Sequence, residues 1–148
     1  MIDVPEVLHN APGFVRTLGA TVVSSSRDGA LLRLDAGPEL HNHLGGPHAA
    51  VIFGLGETTA FAVLLEVFGD LVESATAIPL IKDASIAYSA VATGPLLAAG
   101  RLVDDQAAAR ASFEDRGIAT FVIEVAFRRE ADDVQTAVMT ARMALKRL

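Results

Sequence analysis

The chain has 148 residues, a net charge of −6 and no cysteine. This length fits a single domain with a sizeable core, and the acidic balance argues against nucleic acid as a partner. The absence of cysteine excludes disulfides and thiolate zinc sites and fits a reducing compartment.

The N-terminal segment, residues 1–18, is predicted to be helical. Apolar residues within 4–17 predict a short helix or two helical turns, broken around Pro12-Gly13. The first residues are acidic and lack the features of a signal peptide, so we expect a cytoplasmic protein.

A β-hairpin is predicted next. Residues 20–26 are rich in β-branched and small side chains and predict a strand, and residues 30–35 predict the returning strand. Asp28-Gly29 between them is typical of a two-residue hairpin turn.

A long apolar run then predicts the central helix, residues 47–68. The run is too long for one strand, does not alternate, and is rich in alanine and leucine. Pro47 suits the first helical position, and Gly69-Asp70 is expected to end the helix. A helix this apolar on every side is expected to be buried on every side, yet it carries one carboxylate, Glu57, in its middle.

The same run is close to the length of a membrane span. Glu57, two glycines and two threonines interrupt it, and a charge in mid-membrane is costly. We therefore interpret it as the core helix of a soluble protein that has no membrane partner. Hydrophobic residues make up 51% of the chain, which favours an oligomer that covers apolar surface.

Four more strands and one short helix are predicted beyond the central helix. The strands are residues 77–90, 96–103, 118–129 and 134–146, and the helix is residues 106–115, capped by Asp104-Asp105 and closed by Gly117. In the first of these strands, the apolar residues fall on even positions with Lys82 as the exception. The last has helical propensity, but it is assigned as a strand because it would cover the edge of its neighbour.

These elements predict an α+β fold in which a curled antiparallel sheet wraps around the central helix. No repeat, low-complexity tract or linker divides the chain. We expect a single domain that spans residues 1–148.

One spacing pattern stands out at the start of the central helix. Asn42 is followed by Gly45, then by His48 and Ala49-Ala50, and Glu57 lies nine residues after the histidine. This pattern resembles that of the hotdog-fold acyl-CoA thioesterases, most closely the phenylacetate-pathway type and its uncharacterised relatives. The resemblance spans roughly residues 19–146, nearly the whole chain, and implies a hotdog fold.

The resemblance also implies a role for each matched residue. The N–H of Ala49 would polarise the thioester carbonyl, and His48 would shape the turn around it. Asn42 would orient water or substrate, and Glu57 would carry out the chemistry. The implied substrate is a small or medium acyl or aryl-acyl thioester of coenzyme A, with no separate cofactor. Because coenzyme A carries phosphates, its candidate binding cations are Lys82, Arg101, Arg128, Arg129 and Arg142.

Two features depart from the family pattern. Ala49-Ala50 replaces the usual Gly-Gly, which brings side-chain methyls close to an incoming thioester. No serine or threonine stands near Ile81, where some relatives have one that assists the acid. Phe53, Phe61 and Tyr88 are candidates for setting the depth of the pocket.

The same chemistry can be argued from the residues themselves. A carboxylate can act as general base or nucleophile, and the free N–H groups at a helix start can stabilise an oxyanion. At 1.5 Å and 100° per residue, Glu57 lies about 13 Å along the helix from His48 and on the opposite face. One chain therefore cannot complete a site, whereas an antiparallel two-fold partner can. We expect a homodimer or a dimer of dimers with sites between the subunits.

Other interpretations remain open. Glu57 could hydrogen-bond within the core, Asn42 could serve only as a loop former, and His48 could only satisfy backbone groups. His41, His43 and His48 suggest a metal cluster, but no further ligand stands at a supporting spacing, so no metal is expected. The alternative function is a non-catalytic hotdog protein that binds acyl-CoA or an apolar ligand. A hotdog dehydratase or hydratase is disfavoured because its motif is not met.

Overall fold

A six-stranded antiparallel sheet wraps around one long helix in the computed structural model, which describes residues 2–11 and 13–148. The elements are α1 (Val4–Asn10), α2 (Phe14–Leu18), β1 (Thr21–Ser26), β2 (Gly29–Leu34), α3 (Ala49–Glu73), β3 (Ala77–Tyr88), β4 (Leu96–Leu102), α4 (Gln106–Arg116), β5 (Ile118–Arg129) and β6 (Gln135–Arg147). The strand order is β1-β2-β4-β5-β6-β3, and α3 lies against all six strands. The predicted α+β architecture is confirmed. Met1 and Pro12, which belong to the predicted N-terminal segment and its break, lie outside the described residues.

Three elements of the second half match their predictions closely. β5 has the predicted bounds, and β6 is a strand because it pairs with β5 on one side and β3 on the other. The side chain of Asp105 caps α4 by accepting a hydrogen bond from the Ala108 N–H at 2.8 Å. Gly117 ends α4 with a φ of 70°.

α3 begins and ends later than predicted. His48 is the N-cap, so Pro47 lies just outside the helix instead of at its first position. At the other end, the helix continues through Gly69 to Glu73. A glycine costs a helix only about 1 kcal/mol relative to alanine, and the packing of α3 within the sheet outweighs that cost. Gly69 itself lies against the side chain of Ile2.

The first hairpin turns one residue earlier than predicted. Ser26 pairs with Gly29, so Arg27 and Asp28 form the two-residue turn and the glycine already belongs to β2. A Cβ at Gly29 would lie 2.4 Å from the carbonyl oxygen of Gly100. The glycine is therefore required by the close approach of β2 to β4, in addition to its place next to a turn.

A β-bulge explains the irregular pattern of β3. Its register with β6 shifts between Ile81 and Asp83, which leaves Lys82 in the bulge. Before the bulge, the odd-numbered Ile81 pairs with the core residue Met143, and after it the even-numbered residues face the core. The predicted run of even positions therefore does not form one face. Leu80 lies 44% exposed, away from the core.

α3 is not buried on every side, which corrects the prediction. Ala50 and Glu57 are exposed and Phe53 and Phe61 are half-buried, and their spacing of three or four residues places them on one face. We call these four residues the open stripe. Most of the remaining helix is covered. α3 is long and apolar enough to cross a membrane, but 78% of its apolar window is buried in the fold. The apolar composition of α3 therefore reflects a core helix, and one side of this helix is uncovered.

The sheet approaches α3 closely at Gly100 of β4. A Cβ at this position would lie 2.9 Å from Cγ2 of Thr59 and 3.0 Å from Cγ2 of Val63. Both neighbours are β-branched and stiff in a helix, so they cannot move aside without strain.

We therefore expect Gly100→Ala to lower the free energy of unfolding by about 1–3 kcal/mol through overpacking. The matched control is Ala99→Val, which adds bulk one residue away at an exposed position of the same strand and should change stability by less than about 0.5 kcal/mol. Chemical denaturation of both variants makes the comparison. Equal stabilities would show that the helix and sheet are not in tight contact here.

Candidate functional site

Asn42 organises the loop that precedes α3. Its N–H donates to the Gly46 carbonyl at 2.7 Å, and its side-chain Oδ1 accepts from the Leu44 N–H at 2.8 Å. Its side-chain amide donates to the Pro47 carbonyl at 3.4 Å. Gly45 adopts a φ of 77°, the left-handed conformation that closes the turn. The Asn42 side chain is thus engaged within the loop.

His48 caps α3 with its imidazole ring. The ring Nδ1 accepts a hydrogen bond from the Ala50 N–H at 3.0 Å, and the backbone N–H of His48 donates to the Leu40 carbonyl at 2.9 Å. Within the described part of the chain, the N–H of Ala49 has no acceptor. This free amide lies at the positive end of the helix dipole, a position that suits an anion.

Tyr88 ties the start of α3 to the end of β3. Its hydroxyl donates to the Ala49 carbonyl at 2.8 Å. The side chain is half exposed and lines a shallow surface depression, which we call the helix-start depression. The other lining residues are Asn42, Leu44, Pro47, Ala49, Ile52, Ala90, Val91 and Ala92.

Glu57 lies in a second depression, between α3, α2 and β3. Its side chain is exposed in the single chain. We call this the Glu57 depression, and its other lining residues are Phe14, Val15, Thr58, Phe61, Pro79, Leu80, Ile81 and Met143. The hydroxyl of Thr58 already donates to the Gly54 carbonyl at 2.8 Å. The carboxylate therefore stands at an open and largely apolar surface.

The two depressions have no lining residue in common. Asn42, His48 and Ala49 lie together at the start of α3, whereas Glu57 lies about 12 Å further along the helix at 1.5 Å per residue. The predicted site residues thus fall into two groups on one chain.

The candidate cations for coenzyme A are spread over the surface and are mostly paired. Arg101 bonds Glu124 at 3.0 Å, and Arg128 donates to the carbonyl of Asp133 at 2.9 Å. The ion pairs of the next two candidates are Arg129–Asp132 and Arg142–Asp83. Lys82, exposed in the bulge of β3, is the one candidate without an ion pair in the described residues.

The loop histidines have other contacts. His41 Nε2 lies 2.9 Å from the Ala36 carbonyl, and His48 Nδ1 is engaged as the helix cap. Among residues 2–11 and 13–148, no three histidine, aspartate or glutamate side chains are grouped so as to hold a metal ion.

Phe14 is a lining residue that the sequence pattern did not reveal. It is 57% exposed, and its ring packs over Gly54, where a Cβ would lie 2.5 Å from the ring. An aromatic side chain in a five-residue helix gives no periodic signal, so only the three-dimensional packing identifies it.

This architecture, a sheet wrapped around a long helix, is the hotdog fold, and comparison with solved structures confirms it. A Pseudomonas aeruginosa protein of unknown function, a probable thioesterase, is 22% identical, covers 98% of this chain and 94% of its own, and has a TM-score of 0.83. Zebrafish thioesterase superfamily member 2 is 16% identical, with coverage of 98% and 95% and a TM-score of 0.71. A thioesterase from Staphylococcus aureus is 16% identical, with coverage of 89% and 97% and a TM-score of 0.70.

These likenesses confirm the predicted resemblance to the hotdog-fold thioesterase superfamily at the level of the fold. By sequence, residues 6–145 match the family described as a domain of unknown function, DUF4442, and the chain belongs to that family. No curated protein matches the chain by sequence.

Tyr88 offers a direct spectroscopic test of the site, because it is the only tyrosine in a chain without tryptophan. Burial raises the pKa of its hydroxyl above the ordinary value. We expect tyrosinate absorbance to appear at higher pH in the native chain than in guanidinium chloride. The folded chain favours the neutral hydroxyl, so this contribution to stability is lost as the pH rises from the unfolded to the folded pKa. Circular dichroism at each pH confirms the folded state, and a native midpoint at or below the unfolded one would contradict the expectation.

Proposed function

We propose that this protein hydrolyses acyl-CoA-type thioesters at sites formed between two copies of the chain. One observation carries the proposal. The same helix presents a free amide at its start and a carboxylate on its open stripe, in two separate depressions. An antiparallel second copy would bring Glu57 of one chain to Ala49 of the other.

The uncovered surface around Glu57 supports such a partner. β3 is an edge strand with one unpaired side, and an exposed apolar edge invites pairing with another chain. Leu80 and Ile81 are 44% and 37% exposed, and Phe61 lies on the neighbouring open stripe. Docking a second copy here would cover these side chains and remove water from the carboxylate.

The proposed chemistry assigns one step to each group. Glu57 takes a proton from water, and the hydroxide attacks the thioester carbonyl carbon. The oxyanion accepts a hydrogen bond from the Ala49 N–H at the positive end of α3. When the tetrahedral intermediate collapses, the C–S bond breaks and the proton on Glu57 goes to the departing sulfur. Asn42 and His48 hold the loop and cap that place the amide.

The Staphylococcus aureus thioesterase offers further support. Two of its crystal structures carry an alanine, one in place of a glutamine and the other in place of a glutamate, at positions fifteen residues apart. Asn42 and Glu57 of this chain have the same separation. In both chains, an amide side chain thus precedes a glutamate by the same interval.

The lining of the Glu57 depression supports an apolar acyl group. Apart from Glu57 and Thr58, the side chains that line it are hydrophobic. We therefore propose that the substrate is a small or medium acyl or aryl-acyl thioester of coenzyme A. Coenzyme A is then part of the substrate, and no separate cofactor is needed. Lys82 is the first candidate for its phosphates, because Arg101 and Arg128 are already engaged with acidic partners.

We expect Glu57→Gln and Glu57→Ala to lower thioester hydrolysis by at least about 100-fold, the scale of general acid–base catalysis. Thiol release from acetyl-, hexanoyl-, decanoyl- and phenylacetyl-CoA measures the rates. The matched control is Glu73→Gln, which removes a carboxylate from the exposed end of the same helix and should leave turnover unchanged.

Unchanged turnover in both Glu57 variants would refute the proposed role of this carboxylate. The alternative, a non-catalytic acyl-CoA-binding protein, predicts a different result. In that case calorimetry would detect binding of acyl-CoA to the wild-type chain, which would release no thiol.

A mixing experiment tests whether the site forms between chains. Ala49→Pro replaces the proposed oxyanion donor with a ring carbon and is expected to keep the helix, because proline fits a first helical position and His48 already has the extended backbone that precedes a proline. We expect this variant and Glu57→Gln to be inactive alone. Co-expressed with different tags and isolated as a mixed dimer, they should recover about half of the wild-type activity, since one of two sites is intact.

A site within a single chain gives a different outcome, because every chain in the mixed dimer then carries a defect. No recovery would contradict the shared site, and so would a monomer in light scattering. Circular dichroism of Ala49→Pro checks that the helix is retained.

A further inference from the structure

The first two residues of α3 have few side-chain contacts, whereas Val51 and Ile52 of the same turn are buried in the core. Ala49 and Ala50 are exposed and carry only methyl groups, so no side chain of theirs can anchor the turn. Helix starts lack intrahelical acceptors for their first N–H groups and fray readily. The core packing of Val51 and Ile52 holds the inner side of the turn, and the exposed Ala49 peptide is held in addition by hydrogen bonds from outside the helix.

The structure supplies such ties from two directions. His48 holds the turn from the loop side through its ring and its N–H. Tyr88 holds it from the sheet side, with its hydroxyl 2.8 Å from the Ala49 carbonyl. The carbonyl and the free N–H belong to the same residue, so fixing one restricts the other.

We propose that Tyr88 is a positioning residue, which fixes the Ala49 amide for the developing oxyanion. This inference rests on the proposed thioesterase function. Tyr88 is the last residue of β3, and there it pairs with Ala137 of β6. The helix start is thereby held to the sheet, while the ring forms a wall of the helix-start depression.

Tyr88 acts through Ala49 and not on the substrate. Its hydroxyl proton is donated to the Ala49 carbonyl, and a phenol remains protonated at neutral pH. The hydroxyl therefore serves as a hydrogen-bond donor to the backbone under working conditions. Its removal should loosen the oxyanion donor without removing it.

The test replaces only the hydroxyl, in Tyr88→Phe. We expect kcat to fall by about ten- to a hundredfold, the effect of a small misplacement in a catalytic site, with KM changed by less than about twofold because the ring remains. The substrate is whichever of the four acyl-CoA thioesters the wild-type chain hydrolyses fastest. The melting temperature should stay close to that of the wild type.

The matched control is Ser89→Ala. It removes one hydroxyl that donates to a backbone carbonyl, that of Gln135 at 3.2 Å, one residue further along the chain and directed at β6 instead of α3. We expect its kcat to equal that of the wild type. An unchanged kcat in Tyr88→Phe, or an equal loss in both variants, would overturn the positioning role.

Amide hydrogen exchange provides a readout that does not depend on activity. In Tyr88→Phe, the Val51 and Ile52 amides of the first turn should exchange faster, while those of Thr59 and Val63 in mid-helix should not. Unchanged exchange in the first turn would overturn the proposal. If the wild-type chain hydrolyses none of the thioesters, the proposed function fails and a role in hydrolysis fails with it, whereas faster exchange would still show the anchor.

Discussion

The close packing of α3 against the sheet is the constraint on which the rest of this structure depends. Gly100 of β4 has no side chain and so leaves room for the β-branched side chains of Thr59 and Val63 of α3. Within the sheet, Gly29 of β2 likewise leaves room for the carbonyl oxygen of Gly100. Six strands can wrap the helix at this distance, but they leave two edges, β1 and β3. The helix is therefore covered on most sides and open on one.

The open side resolves the apparent conflict posed by a carboxylate in a core helix. Burying an unpaired carboxylate costs several kcal/mol or more, so a fully covered helix could not carry one at Glu57. The fold leaves this position at the open stripe, among apolar neighbours that a partner or a substrate can cover. Once water is displaced, these apolar neighbours would lower the local dielectric constant and so strengthen the interactions of the Glu57 carboxylate with nearby charges and dipoles.

The sequence predicted the elements whose signal is local or pairwise. β5 shows clear alternation, α4 carries its own caps, and the edge of β5 requires a partner strand, which predicts β6. The errors have a common origin in tertiary contacts. Packing against the sheet allows α3 to continue past Gly69. A bulge at Lys82 changes which residues of β3 face the core. Glu57 is exposed because the sheet does not surround the helix completely. None of these features has a periodic signature in a single sequence.

The candidate site divides in the same way. The spacing of Asn42, His48 and Glu57 is visible in the sequence, but the hydrogen bond from Tyr88 to Ala49 spans 39 positions and becomes visible only in the fold.

This hydrogen bond helps to explain how the chain can have Ala49-Ala50 where the family pattern has Gly-Gly. Alanine keeps the N–H and favours the helix by about 1 kcal/mol per residue over glycine, so the first turn gains order while an incoming carbonyl must pass two methyl groups. An amide held from the loop and from the sheet needs less freedom to meet a developing oxyanion, since preorganised donors do not have to reorient during the reaction. In the proposed mechanism, the two alanines would therefore make the oxyanion donor more rigid than two glycines would.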